Sequence, residues 1–200
     1  MVVRVALFEA SDIVRSDSRR AVLPILESLD DMGRIELVRH ERFTGLDDLA
    51  AGLSGWRSIG PSLAYVRANG RAGALTVERN RIDISEVAEA AKNKLGNKAL
   101  YFAWASMLSG RKEKARSFLK TSGALGVYGF GGPVDWWQGV AFDLLFLESV
   151  GRVGMGSRLA QDMTWRYPDL VKRLGFTGEA GRMPGVLPVN PLRWLPPFGA

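Results

Sequence analysis

The run Ala-Leu-Tyr-Phe-Ala-Trp-Ala-Ser from Ala99 to Ser106 carries no charge and no alternation. An unbroken apolar run of that length is the mark of a central parallel strand covered on both faces, because each face of such a strand must meet a helix rather than water. The rest of the chain supplies that cover. Val2 to Phe8, Ile35 to Phe43, Ser62 to Ala68 and Ala124 to Gly129 read as further strands, and amphipathic helical patterns fall between them. Arg20 to Asp31 places Val22, Ile25, Leu26 and Leu29 on one stripe, with Pro24 tolerable only in the first turn. Leu46 to Leu53 is a short helix with Asp47 and Asp48 at its positively polarised start. Strand and helix alternating in this way predict an α/β layer architecture with a mainly parallel central sheet flanked by helices.

Between the third strand and the Ala99 run, Gly73 to Ile82 reads as a small hairpin. Asp83 then opens a helix, with Glu86 three residues on as its capping partner. Val87, Ala88, Ala91 and Leu95 form that helix's buried stripe. Lys112 to Lys120 is a basic helix. Asp135 to Val150 is apolar nearly all round and is expected to be buried, with Asp135 and Gln138 as a capping pair. Ser157 to Leu174 is helical and broken before Pro168. Beyond Gly175 the prolines at 184, 188, 191, 196 and 197 change the chain's character. The expected organisation is a domain over 1–175 and a Pro-rich tail over 176–200.

Composition narrows the chemistry. Of 200 residues 46% are hydrophobic, with six Trp and nine Phe, which is ample for a packed core. The chain has no cysteine and a single histidine, His40. Thiolate nucleophiles, disulfides, cysteine metal sites and His-pair mechanisms are thereby excluded, and no metal or other cofactor is expected. Val140 to Val150, the longest strongly apolar segment, is too short to span a bilayer, which takes about 20 residues. The charged residues close behind the first strand make a poor signal peptide. The expectation is a cytoplasmic chain with no membrane association.

In an open α/β sheet, ligands bind beyond the carboxyl ends of the strands. Those ends here are Asn69-Gly70, Ala105-Ser106 and Gly129-Phe130-Gly131-Gly132-Pro133, three loops expected to converge on one pocket. The glycine-rich run lacks both the Lys-Ser/Thr ending of a P-loop and the spacing of a dinucleotide fingerprint, so nucleotide binding is not expected.

At these three places the sequence resembles the small bacterial caspase-like domains related to caspases and CHAT-domain peptidases. The resemblance rests on Tyr65-Val66-Arg67-Ala68-Asn69-Gly70, on Tyr101-Phe102-Ala103-Trp104-Ala105-Ser106, and on Tyr128 to Trp136 followed by Ala141-Phe142-Asp143-Leu144-Leu145. It covers roughly residues 2 to 150 and implies a three-layer caspase-like fold. It also implies a former active-site pocket lined by Arg67, Asn69, Gly70, Ala105, Ser106, Phe130, Asp135 and Trp136. Where the family carries His-Gly and Cys-Ser, this chain has Asn69-Gly70 and Ala105-Ser106. Asn69 cannot take a proton at neutral pH and Ala105 has no nucleophilic atom, so neither half of a Cys/His mechanism survives. The resemblance thus implies an inactive homologue with no catalytic residue, acting as a protein- or peptide-binding or regulatory module.

Two other readings are carried forward. One is a residual hydrolase using Ser106, the only hydroxyl beside the lost nucleophile, with His40 as the one available imidazole; the alternation around His40 places it at the surface. The other is a nucleic-acid-associated protein using the basic surface of Arg111, Lys112, Lys114, Arg116 and Lys120, in a chain of net charge +6. Each residue also has a plain structural role: Asn-Gly as a turn dipeptide tolerant of positive φ, Asp135 as a helix cap, Trp136 and Trp137 as core packing, the basic run as a solvated face. The segment Pro191 to Phe198 reads as a polyproline stretch able to dock on a partner or on its own domain.

Overall fold

The computed structural model describes residues 2–16, 22–56, 60–71, 73–108 and 112–181. In chain order the elements are β1 (Val3–Ala10), α1 (Ser11–Ser16), α2 (Leu23–Asp31), β2 (Ile35–Phe43), α3 (Leu46–Gly55), β3 (Ser62–Arg67), β4 (Asn69–Arg71), β5 (Ala74–Val77), β6 (Asn80–Asp83), α4 (Ile84–Ala90), β7 (Lys98–Ala103), α5 (Lys112–Ser122), β8 (Gly126–Phe130), α6 (Trp136–Val153), α7 (Ser157–Arg166), α8 (Pro168–Leu174) and β9 (Phe176–Ala180). Six strands form the main sheet in the order β2-β1-β3-β7-β8-β9. All neighbours run parallel except β9, which is antiparallel to β8.

Every residue of β3, β7 and β8 is buried, and the two faces feed two separate cores. One gathers Ala6, Phe8, Val66 and Phe102 under Leu49 and Leu53 of α3, Val87 of α4 and Phe118 of α5. The other gathers Val5, Leu7, Tyr65, Tyr101 and Tyr128 under Leu26 of α2, Phe142 and Phe146 of α6, and Leu159 and Met163 of α7. This is the expected three-layer α/β fold, with a mostly parallel sheet between two layers of helices. The parallel register puts Tyr65 beside Tyr101 and Tyr101 beside Tyr128, a row of three phenols pointing to the α6 side.

Helix starts follow the sequence closely. Pro24 sits in the first turn of α2 and Pro168 in that of α8, where a missing N–H costs nothing. The Glu86 carboxylate accepts from the Asp83 N–H at 2.6 Å, and the Asp135 carboxylate accepts from the Gln138 N–H at 3.0 Å. Gly175, at φ +61°, ends α8 in the left-handed region and reverses the chain into β9.

Three expectations need correction. Asn69 and Gly70 do not make a positive-φ turn; they lie in β4, paired antiparallel with Thr76 and Leu75 of β5, and the excursion is a three-stranded sheet β4-β5-β6. Helix α6 is not buried all round: Trp137 and Leu144 are exposed, while Gly139, Phe142, Asp143, Phe146, Leu147 and Val150 make its buried stripe. The domain does not close at residue 175, because β9 pairs with β8 along its whole length. Ladder hydrogen bonds outweighed the glycine and polar content of Phe-Thr-Gly-Glu-Ala, which masks a strand in the sequence. The prolines of the tail lie outside the described residues.

Candidate functional site

The three loops singled out in the sequence do converge at the carboxyl ends of β3, β7 and β8, but they close on one another. A Cβ built on Gly70 stands 2.5 Å from the Ala105 Cβ, 3.0 Å from the Ala74 carbonyl oxygen and 3.2 Å from the Ala105 Cα. Gly70 is therefore required for close approach, and its backbone lies directly against Ala105, which is fully buried. Asn69, next to it, is exposed. The Ser106 hydroxyl donates to the Gly131 carbonyl at 2.9 Å, and the Ser106 carbonyl accepts from the Gly73 N–H at 2.9 Å. The Leu108 N–H donates to the Phe130 carbonyl at 3.0 Å. The Ser106 side chain and backbone, next to the expected nucleophile position at Ala105, are thus committed to neighbouring loops.

The other expected pocket residues divide between this seam and the α6 layer. Phe130 is buried among Tyr101, Phe142 and Phe176. Asp135 is exposed and caps α6. Trp136 meets Trp104 edge-on at 6.5 Å, and Trp137 is 77% exposed. Arg67 is buried, with its guanidinium 3.9 Å from the centroid of the Trp104 ring, a cation–π contact out of bulk water.

Below the seam lies a constellation absent from the expected site. Asp143, buried on α6, accepts hydrogen bonds from three groups on two strands and a loop. The Tyr65 hydroxyl donates to Oδ2, the Tyr101 hydroxyl donates to Oδ1 at 2.5 Å, and the Trp104 indole Nε1–H donates to Oδ2 at 2.7 Å. Burial pushes the Asp143 carboxyl up to about 7, against the opposing pull of the Tyr101, Tyr65 and Trp104 hydrogen bonds and of the Arg67 charge. The Tyr65 and Tyr101 phenols are pushed well above their ordinary range, first by burial and then by the Asp143 charge. Trp104 itself holds φ +62°, a region that costs a non-glycine residue roughly 1–3 kcal/mol. Its ring lies flat on Gly139, where a Cβ would stand 2.5 Å from Nε1.

The sequence carried a signal for this network. Asp143 falls in the stripe Gly139, Phe142, Phe146, Leu147, Val150, so a carboxylate on a core-facing position had to find donors. Tyr65 and Tyr101 each stand fourth in their strands, which a parallel register makes neighbours.

His40 is not a free surface residue. It is half-buried on β2, with Nε2 3.1 Å from Oε2 of the buried Glu9 of β1. Three strand spacings, roughly 14 Å, separate β2 from β7, so His40 stands well away from Ser106. On α5, Lys112, Arg116 and Lys120 repeat every four residues along one side, and Lys114 points elsewhere, towards Gly73. Arg116 is 3.5 Å from Glu179 of β9. Arg111 lies outside the described residues. An open cleft of about 620 Å³ lies between α7 and β9, and one of about 310 Å³ between α4 and α5 reaches Gly73 at the border of the loop seam. Among the described residues, no group of three His, Asp or Glu side chains is placed to hold a metal ion, and no helix is long and apolar enough to cross a membrane.

A six-stranded, mostly parallel sheet between helix layers, with an antiparallel last strand, is consistent with the caspase-like three-layer class. The solved complex of Porphyromonas gingivalis RgpB pro- and mature domains shares this fold at a TM-score of 0.51 and 12% identity; the likeness covers 90% of this chain. The chain spans 47% of that one, a little under half its length. By sequence the chain belongs to the family of unknown function DUF6642, which it matches over residues 9–177. No curated protein matches it.

Proposed function

We propose that this chain is a non-catalytic protein of caspase-like fold that acts as a protein- or peptide-binding module. The observation that carries the reading is the burial of Ala105 under Gly70: the position where the resemblance puts a nucleophile has neither a reactive atom nor room for a substrate carbonyl. The Ser106 hydroxyl is turned to a backbone carbonyl and His40 to Glu9, so a serine mechanism lacks its base at the required hydrogen-bond distance. Loss of chemistry leaves the scaffold intact, and a sheet with an open edge can still take an extended segment through main-chain hydrogen bonds.

Purified protein incubated with a fluorophosphonate probe and with fluorogenic peptides tests the first half. Labelling and turnover should equal those of Ser106→Ala; Ser106-dependent labelling would overturn the non-catalytic reading. A displayed library of random peptides tests the second half. Enrichment of a sequence class that then binds the purified chain in a calorimeter supports it, and a library that never enriches sinks it.

A further inference from the structure

We propose that the outer edge of β9 is a docking site for an extended segment of a partner protein, one in which acidic side chains alternate with apolar ones. The inference rests on the binding-module reading and deepens it, naming the edge that is used and the chemistry that fits it.

The main sheet ends in β2 on one side and β9 on the other, and an unprotected edge invites a further strand. The β2 edge is protected. It carries Glu36, Arg39, Glu41 and Arg42, and its register against β1 slips between Val5 and Ala6, leaving Val38 as the extra residue of a bulge. The β9 edge has neither device. Its ladder to β8 is regular throughout, and its one charged side chain, Glu179, is paired with Arg116.

Register settles which main-chain groups are on offer. The Gly131 N–H donates to the Gly175 carbonyl and the Gly181 N–H to the Leu125 carbonyl, so Phe130–Phe176 and Gly126–Ala180 are pairs that exchange no bonds directly. Thr177 and Glu179 therefore turn their N–H and C=O groups to β8, while Gly178 and Ala180 turn theirs outward. Among the described residues none bonds to those outward groups. Side chains alternate in step: Phe176 joins the core beneath α6 and α7, so Gly178 and Ala180 face α7, and Glu179 faces α5.

The walls beside this edge select the occupant. The open cleft of about 620 Å³ runs along β9, walled by α7 and reaching Lys112 of α5. On the α7 wall Ala160 and Thr164 leave room, and Trp165 stands 79% exposed at the rim; apolar side chains fit there. On the α5 side Lys112 and Arg116 are exposed one turn apart, and Lys120 continues the row. Arg116 meets Glu179 through one nitrogen at 3.5 Å and is 66% exposed, which leaves guanidinium donors for a second carboxylate. Acidic side chains on the α5-facing set complement this row. The chain beyond Gly181 has no acidic residue to offer. A second copy paired edge to edge would bring two basic rows onto the same face, where like charges repel. The occupant is therefore a foreign acidic segment.

Capped eight-residue peptides, one alternating Glu with Val and one alternating Lys with Val, titrated into the full chain at low salt, test the site. The Glu–Val peptide should bind at least about tenfold more tightly than the Lys–Val peptide, and Lys112→Ala should weaken it by up to about fivefold. N-methylating its nitrogens in alternate sets is the decisive arm. One set faces β9 and should cost at least about tenfold, while the other faces solvent and should cost little. Ala180→Pro removes an outward N–H without touching the β8 ladder and should weaken binding about fivefold; the N-methyl arm serves if that variant fails to fold. In amide exchange Gly178 and Ala180 should be fast in the free protein and slowed by the Glu–Val peptide. Absence of binding, no preference for Glu–Val, or equal loss from both methylated sets overturns the proposal. So does protection of Gly178 and Ala180 in the free chain, which would assign the edge to a second copy or to residues 182–200. The binding-module reading falls separately, when the random library never enriches; enriched peptides that leave these two amides unchanged would sink the edge and keep the module.

Discussion

Gly139→Ala should destabilise the protein even though it improves a helix. In an exposed helix interior the change gains about 1 kcal/mol, because alanine restricts the unfolded chain and glycine does not. Here the new methyl would stand 2.5 Å from Trp104 Nε1, 2.7 Å from Cε2 and 2.8 Å from Cδ1, far inside the 3.5–4.0 Å at which carbon contacts are favourable. The ring cannot retreat freely, since it is buried and the Arg67 guanidinium packs 3.9 Å from its centroid. Overpacking of this kind costs about 1–3 kcal/mol. Any ring shift also stretches the 2.7 Å bond to Asp143, and a hydrogen bond to a charged acceptor is worth about 1.5–3 kcal/mol. The losses exceed the propensity gain, and the net cost is about 3 kcal/mol, roughly 6–12 °C in Tm for a chain of this size. Urea denaturation at fixed pH measures it. Gly55→Ala is the control: Gly55 ends α3 with nothing within 4 Å of an added Cβ, and it should match or slightly exceed wild type. A Gly139→Ala protein as stable as Gly55→Ala would refute the seating of the indole on α6.

Gly70→Ala should cost about 1–3 kcal/mol, because the atoms its methyl meets at Ala105 and Ala74 are backbone or Cβ and have no flexible end to yield. In a double-mutant cycle, Ala105→Gly should recover part of that loss, and strictly additive effects would show that the two loops do not touch. Global stability should fall as pH rises from about 4 to 7 and stay level above, since the native Asp143 carboxyl is raised and holds its proton more tightly than the unfolded one; a shift of this size is worth about 4 kcal/mol. Urea midpoints of wild type and Asp143→Asn should therefore diverge between pH 5 and pH 8, and parallel profiles would refute the assignment. Arg152→Ala should cost about 1 kcal/mol at pH 7, because Arg152 ties α6 to α7 through two 2.6 Å bonds to Asp162. Arg152 holds the Asp162 carboxyl below its ordinary value. That stability is therefore present above the ordinary carboxylate range and lost as pH falls through the lowered value, so the gap between variant and wild type should narrow on acidification and not widen.

The features of this fold that are legible in one sequence are those written in local periodicity. β2 and the capped starts of α4 and α6 need only neighbouring residues to be recognised, and the continuous apolar runs of β3 and β7 declare a two-sided sheet. What local pattern hid was set by partners distant in the chain. β9 is a strand because β8 offers it a ladder, not because Phe-Thr-Gly-Glu-Ala favours extension. Asn69-Gly70 has the composition of a turn, yet β5 holds it extended, and its glycine answers to Ala105, 35 residues away.

The candidate site divides along the same line. The convergence of Asn69-Gly70, Ala105-Ser106 and the Gly129–Pro133 loop follows from strand order, and order survives in sequence. Whether convergent loops leave a hollow or a seam depends on ångström-scale contacts between side chains far apart in the chain, and here a methyl against a glycine closes the gap. A buried carboxylate announces itself more clearly. Asp143 breaks an apolar stripe at a position that must face the sheet, where desolvation demands compensation. Two tyrosines in register and a tryptophan just past a strand end are the donors within reach. In a chain with no cysteine and one histidine, the densest polar chemistry therefore sits one layer beneath the loops, where it holds their backbone in place.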